Sequence, residues 1–156
     1  MLRLTIAAAA TLAVIGARAQ DYPTQPVRFV VPYAAGGGTD AMARILAKGL
    51  ETRLGQPFLV ENRAGSGTTL GAGFVAKAPP DGYTILLGTS STYAIAVSLY
   101  KSIPYDPTRD FAPIALVAQV PFVLVVHPSL PVHSVAELVR YAKANPGLNY
   151  ASAGVG

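Results

Sequence analysis

Three successive glycines, Gly36 to Gly38, stand between an apolar run and a helical pattern near the start of the chain. Thr39 or Asp40 follows directly, where either side chain could cap the helix. The first turn of a helix presents unpaired N–H groups and the positive end of its dipole, and glycines let the backbone approach a ligand closely. The spacing predicts a site that holds an anion, although the same glycines would also permit a tight turn without a ligand.

A dinucleotide site is an alternative interpretation of the same loop. The letters GGGTDA satisfy the pattern G-x-G-x-x-A, and Glu61 lies at about the spacing expected of a ribose ligand. Against this, Tyr33, Ala34 and Ala35 intervene between the apolar run and the glycines, where the fingerprint turns at once. A fragment of a nicotinamide-dependent Rossmann oxidoreductase therefore remains the competing hypothesis. No Lys follows the glycines, which excludes a Walker phosphate loop.

Other residue types that could do chemistry are scarce or isolated. The two histidines, His127 and His133, have no further ligand types nearby, and the chain has no cysteine. Serines are plentiful, but no G-x-S-x-G elbow occurs. We expect no catalytic residue, no metal and no cofactor.

The elements that must position the glycine loop alternate between apolar runs and helical patterns, which predicts an α/β fold with parallel strands. Predicted strands cover residues 27–32, 57–63, 83–87 and 148–151, and predicted helices cover 39–54, 69–77, a short stretch ending near 100, and 134–145. Ser134 and Glu137 have the spacing of a capping box at the start of the last helix.

The pattern changes after the middle of the chain. Two apolar runs, residues 113–119 and 121–127, follow each other with no helix between them. We expect residues 20–105 to form a first α/β domain, and residues 106–156 to form a connector and the start of a second.

The first nineteen residues are typical of a secretory signal peptide. Arg3 precedes an apolar run over residues 4–15, and Ala17-Arg18-Ala19 supplies small residues for cleavage near Ala19 or Gln20. The run is too short to span a bilayer comfortably. Without Arg3 and Arg18, the chain keeps 10 of its 12 basic residues against 8 acidic ones, which is too weak an excess to predict nucleic-acid binding. We expect an exported monomer.

Longer stretches carry a resemblance to a known family. PYAAGGGTDAMARILAKGL, LGQPFLVENRAGSGTTLGAGFVAKAPPDGYTILLGTSSTYAI, LYKSIPYDPTRDFAPIALVA and NYASAGVG together resemble the tripartite tricarboxylate transporter receptors, also called Bug extracytoplasmic solute receptors. The likeness runs from about residue 22 to residue 156. It implies a periplasmic binding protein of type II, a Venus flytrap whose two α/β domains close on a small organic acid and deliver it to a membrane permease.

The resemblance also implies three ligand-binding loops. They comprise Tyr33, Ala35, Gly36, Gly37, Gly38, Thr39 and Asp40 after the first strand; Thr89, Ser90 and Ser91 after the third; and Ser152, Ala153 and Gly154 in the second domain. No Lys or Arg lies in the first loop, so N–H groups, hydroxyls and water would hold the carboxylate, while Arg44 is expected to form a salt bridge. Family members are roughly twice as long, so a truncated, marginally stable and non-functional receptor is a further possibility.

Overall fold

A computed structural model describes residues 21–121 and 123–151 of the chain. Its regular elements, in chain order, are β1 (Val27–Val31), α1 (Gly38–Leu54), β2 (Phe58–Asn62), α2 (Thr69–Ala76), β3 (Thr84–Leu86), α3 (Ala96–Leu99) and α4 (Val135–Ala144). A 3₁₀ turn at Ser66–Thr68 precedes α2, and a π-helical turn at Ser91–Ile95 leads into α3. The prediction of an α/β fold is confirmed, with the first three strands close to their predicted bounds.

The strands form one parallel sheet in the order β2-β1-β3. The central strand β1 pairs with β2 from Val27 to Val31 and with β3 from Arg28 to Val30. Its sequence VRFVV is almost wholly apolar, as expected of a strand covered on both faces. β1 is therefore the central strand, and the loop that follows it leaves the sheet between the carboxyl ends of β2 and β3.

The main core lies between β1 and α1. Val27, Phe29 and Val31 share one face of the strand, and they pack with Ala43 and Ala47 of the helix. The two alanines are four residues apart and so lie on one side of α1, where their small side chains let the helix approach the sheet. The helix ends at Gly55, whose left-handed φ of 74° suits a residue without a side chain.

The region beyond residue 111 packs differently. Ser134 caps α4 by accepting a hydrogen bond from the Glu137 N–H, so the predicted helix start is confirmed. However, α4 buries none of its residues among the described part of the chain. The predicted strand at residues 148–151 is wrong, because no described strand lies beside it to supply ladder hydrogen bonds.

No helix in residues 21–121 and 123–151 is both long and apolar enough to span a bilayer. The predicted signal peptide and the predicted ligand loop Ser152–Ala153–Gly154 lie outside the described residues.

Candidate functional site

The candidate site lies at the carboxyl ends of β1 and β3. The chain runs from β1 to β2 on one side and then returns to place β3 on the other side of β1. Loops that leave neighbouring strands in opposite directions open a crevice between them, and open α/β sheets bind ligands at this switch point. The predicted loops after the first and third strands both start here.

The same topology separates this fold from the competing dinucleotide-binding fold. In the classic dinucleotide order the third strand pairs with the second, whereas here β3 pairs with β1. Glu61, the proposed ribose ligand, is also occupied: Arg28 and Arg63 both bind its carboxylate. Hydrogen bonds from Arg28, and secondarily from Arg63, hold the pKa of Glu61 below its usual value. The Arg63 guanidinium lies 3.6 Å from the centre of the Phe74 ring. The Glu61 carboxylate is therefore engaged in structural ion pairs, and the interpretation as a nicotinamide-dependent oxidoreductase is not supported.

A direct contact joins the two predicted loops. The hydroxyl of Tyr33 lies 2.7 Å from Oγ1 of Thr89, in a half-buried position across the switch point. The Thr89 N–H donates to Oγ1 of Thr92, and the Tyr105 hydroxyl donates to the Thr92 carbonyl at 2.6 Å. This chain of hydrogen bonds fixes the loop after β3 against the loop after β1.

The glycine loop presents free N–H groups to solvent. Helix α1 begins at Gly38, its N-cap is Gly37, and no side chain caps it. The first helical hydrogen bond runs from the Ala41 N–H to the Gly37 carbonyl, which leaves the N–H groups of Gly38 and Thr39 without an acceptor inside the helix. The loop at residues 34–38 is exposed. The prediction that Thr39 or Asp40 caps the helix is wrong, because the helix starts earlier and places both residues inside its first turn.

Asp40 instead fixes the conformation of this loop by hydrogen bonds. Its buried carboxylate accepts the Gly36 N–H at 2.9 Å, Nε of Arg44 at 3.0 Å and Nδ2 of Asn62 at 3.0 Å. The same Asn62 nitrogen donates to the Tyr33 carbonyl. The bond from Arg44, then those from Gly36 and Asn62, lower the pKa of Asp40 from 3.8 to about 2. The Gly36 N–H and the Asp40 carboxylate thus satisfy each other.

Arg44 forms the predicted salt bridge with Asp40, and its side chain is 54% exposed. Of the remaining predicted residues, Ala35 and Ser90 are exposed and Ser91 is half-buried. A shallow concavity of about 560 Å³ lies elsewhere, along the solvent-facing side of α1 around Ile45 and Lys48. Because it has no converging polar groups from separate elements, the donors at the switch point define the site better than the concavity does.

The loop after β2 was not predicted as part of the site. From Gly65 to Thr68, four successive residues have positive φ, at 142°, 47°, 55° and 80°. The 3₁₀ turn within it contacts the π-helical turn after β3. Thr68 is buried, and its Oγ1 has no hydrogen-bond partner in the described part of the chain. The sequence signal was present: the letters AGSGT begin two residues after the carboxyl end of β2.

The chain is similar to known proteins over most of its length. The family profile described as "Tripartite tricarboxylate transporter family receptor" matches residues 42–156. Curated relatives are 46% and 40% identical over 83% and 100% of this chain. The chain spans 40% and 48% of the length of those two relatives, so it corresponds to less than half of each.

Solved structures of similar proteins share the fold. Rpa4515 of R. palustris, solved with adipate, is 44% identical, with a TM-score of 0.76 over 81% of this chain and 42% of its own. MatC of Rhodopseudomonas palustris, with bound malate, is 38% identical, with a TM-score of 0.74 over 79% and 42%. The periplasmic binding protein BugD is 42% identical, with a TM-score of 0.66 over 80% and 41%. The fold of the described chain is thus that of part of a periplasmic binding protein.

Proposed function

Because the chain belongs to the tripartite tricarboxylate transporter receptor family, we propose that it captures a small di- or tricarboxylate in the periplasm and delivers it to the permease of a tripartite tricarboxylate transporter. The observation that carries the proposal is the set of exposed, unpaired N–H groups at the start of α1, placed at the switch point between β1 and β3. The adipate and malate bound to the similar structures support the same ligand class.

The binding chemistry follows from these donors. The N–H groups of Gly37, Gly38 and Thr39 lie at the positive end of the α1 dipole, where a carboxylate is favoured. The hydroxyls of Tyr33 and Thr89 lie where the loop after β1 contacts the loop after β3. Hydrogen bonds to a charged acceptor are each worth about 1.5–3 kcal/mol, so a few of them can hold a carboxylate without a cationic side chain.

This arrangement forms one wall of a ligand site. The loops lie on an open surface of the described chain, and Ser152, Ala153 and Gly154 are the proposed contribution of a second domain that closes on the acid. The one described carboxylate among the proposed contacts, that of Asp40, is bound by Gly36, Arg44 and Asn62 and activates no hydroxyl, and we accordingly propose a receptor without catalytic activity, cofactor or metal.

Gly38 offers a substitution that removes a single donor. It is the first residue of α1, where proline fits the helix and only the N–H is lost. Gly37 before it has an extended backbone, which proline tolerates in the preceding residue. Gly38→Pro should weaken carboxylate binding by about tenfold or more. Gly38→Ala is the matched control, because it keeps the N–H and its Cβ would meet no atom within 4 Å.

The test is a calorimetric titration of the protein expressed through to its stop codon. Adipate, malate, succinate and citrate form the panel, and adipamide serves as the uncharged control. We expect at least one acid to bind the protein and the Gly38→Ala variant alike, and the Gly38→Pro variant more weakly. If the proline variant binds with equal affinity, the α1 N-terminus is not part of the ligand site. If no acid binds the unmodified protein, the receptor function is refuted.

A further inference from the structure

Thr68 combines two features that are unfavourable for folding. Its backbone is left-handed, with a φ of 80°, a conformation that costs a β-branched residue free energy. Its side chain is also buried, with the residue 3% exposed, and the hydroxyl has no hydrogen-bond partner among residues 21–121 and 123–151. Burying an unpaired hydroxyl is costly, because its hydrogen bonds to water are lost without replacement.

The local structure does not require a threonine at this position. Thr68 is the N-cap residue of α2, where a hydroxyl normally accepts a hydrogen bond from the first turn, but here it makes no such bond. The neighbouring Thr69 is satisfied, since its hydroxyl donates to the Ser66 carbonyl. Glycine would adopt the left-handed backbone without strain and would bury no hydroxyl. The cost of Thr68 is therefore unexplained by the fold alone.

The position of Thr68 connects it with the site. Its turn follows the carboxyl end of β2 and contacts the π-helical turn Ser91–Ile95, which follows the Thr89 loop. Behind it, α2 packs closely on the loop after β1: a Cβ added at Gly71 would lie 2.9 Å from the Cβ of Pro32. The start of α2 thus adjoins both loops of the proposed ligand site.

We propose that Thr68 is a ligand-binding residue of this receptor, whose hydroxyl donates a hydrogen bond to a carboxylate oxygen of the bound acid; this rests on the receptor function proposed above. Because the hydroxyl is buried, a carboxylate would reach it only when the Ser66–Thr68 turn moves away from the π-helical turn. The left-handed backbone and the unpaired hydroxyl then keep a donor ready for the ligand, at the expense of stability in its absence.

The experiment compares three substitutions at Thr68 in the protein expressed through to its stop codon. Thr68→Val removes the hydroxyl at nearly constant volume, Thr68→Ser keeps it, and Thr68→Gly removes it while suiting the left-handed backbone. Thr52→Val is the matched control, because the Thr52 hydroxyl bonds to Lys48 on α1 in an exposed position. Calorimetry with the acid that binds the unmodified protein most tightly gives the affinity, and thermal melts without ligand give the stability.

We expect Thr68→Val to bind the acid about tenfold to a hundredfold more weakly, and Thr68→Ser and Thr52→Val to bind it nearly as well as the unmodified protein. Thr68→Gly should also bind weakly but melt at a higher temperature without ligand. If Thr68→Val binds as tightly as the unmodified protein, the proposal is overturned while the receptor function stands. If Thr68→Val does not fold, the affinity of Thr68→Gly is used instead, and an affinity equal to that of the unmodified protein overturns the proposal. Binding of no acid by the unmodified protein overturns both.

Discussion

Two regions of similar composition reach different outcomes in this molecule. The sheet region, residues 21–111, contains the apolar strand VRFVV, whose valines are fully buried. The C-terminal segment, residues 112–121 and 123–151, contains equally apolar stretches, yet Ile114 is 82% exposed and Val125 79% exposed. The difference lies in the partners: β1 has a strand on each side and a helix over its core face, whereas no described strand forms beyond β3. Apolar sequence produces a core only where neighbouring elements cover it.

The largest difference in the free energy of unfolding is expected between truncation of a core side chain and truncation of an exposed one. Phe29→Ala should lower the free energy of unfolding by about 3–5 kcal/mol, because it empties a closely packed position in the main core. Ile114→Ala, in the C-terminal segment, should change it by no more than about 0.5 kcal/mol. Urea denaturation measures both. Similar losses in the two variants would mean that the segment carries a core of its own.

Two helical glycines of the sheet region differ in how closely other atoms surround them. Gly71→Ala should cost about 1–3 kcal/mol, since the new Cβ would lie 2.9 Å from the Arg63 carbonyl oxygen and from the Cβ of Pro32. Gly49→Ala on α1 meets open space and should stabilise the protein by about 1 kcal/mol, because alanine favours the helix. The two free energies of unfolding should therefore change in opposite directions, and a neutral Gly71→Ala would show that α2 can move away from the sheet.

Acid should selectively weaken the sheet region through Asp40. Because the folded protein lowers the pKa of Asp40 from 3.8 to about 2, its ionised form stabilises the fold fully above about pH 4. That contribution is lost as the pH falls through about 2. We expect Asp40→Asn to be less stable than the unmodified protein at pH 7 and the gap to narrow below pH 4, measured by urea midpoints across this range. The exposed Asp21 provides the control substitution, Asp21→Asn. A gap that is independent of pH would contradict the network around Asp40.

The smallest effect is expected at the cap of α4. Ser134→Ala removes the acceptor of the Glu137 N–H and should cost α4 about 1 kcal/mol of local stability. Because α4 buries no residue among those described, global unfolding should barely change. Hydrogen exchange at the Glu137 amide detects the local loss, and Ser134→Asn should retain protection. A large fall in the global free energy of unfolding would instead show that α4 is part of the cooperative core.

The sequence predicted the elements whose cues are local. The apolar run of β1 and the Ser134 cap each depend on residues a few positions apart, and both predictions were confirmed. The strand predicted at residues 148–151 failed because strand formation also depends on a neighbour that the local sequence does not reveal.

The candidate site was only partly predictable for the same reason. The location of the glycine loop at a helix start follows from adjacent residues. The role of Asp40 does not, because Asn62, which binds it, is 22 residues away in the chain. The left-handed turn ending at Thr68 was also unforeseen, since threonine rarely adopts that backbone.

The hydroxyl contact between Tyr33 and Thr89 has a consequence for how the protein folds. The two residues are 56 positions apart, and every pairing in the parallel sheet is likewise non-local. High contact order slows folding, because a long loop must close before its contacts can stabilise the chain. The two loops that we propose for the ligand site come together only after β3 has docked on β1, so the proposed site should form late on the folding pathway.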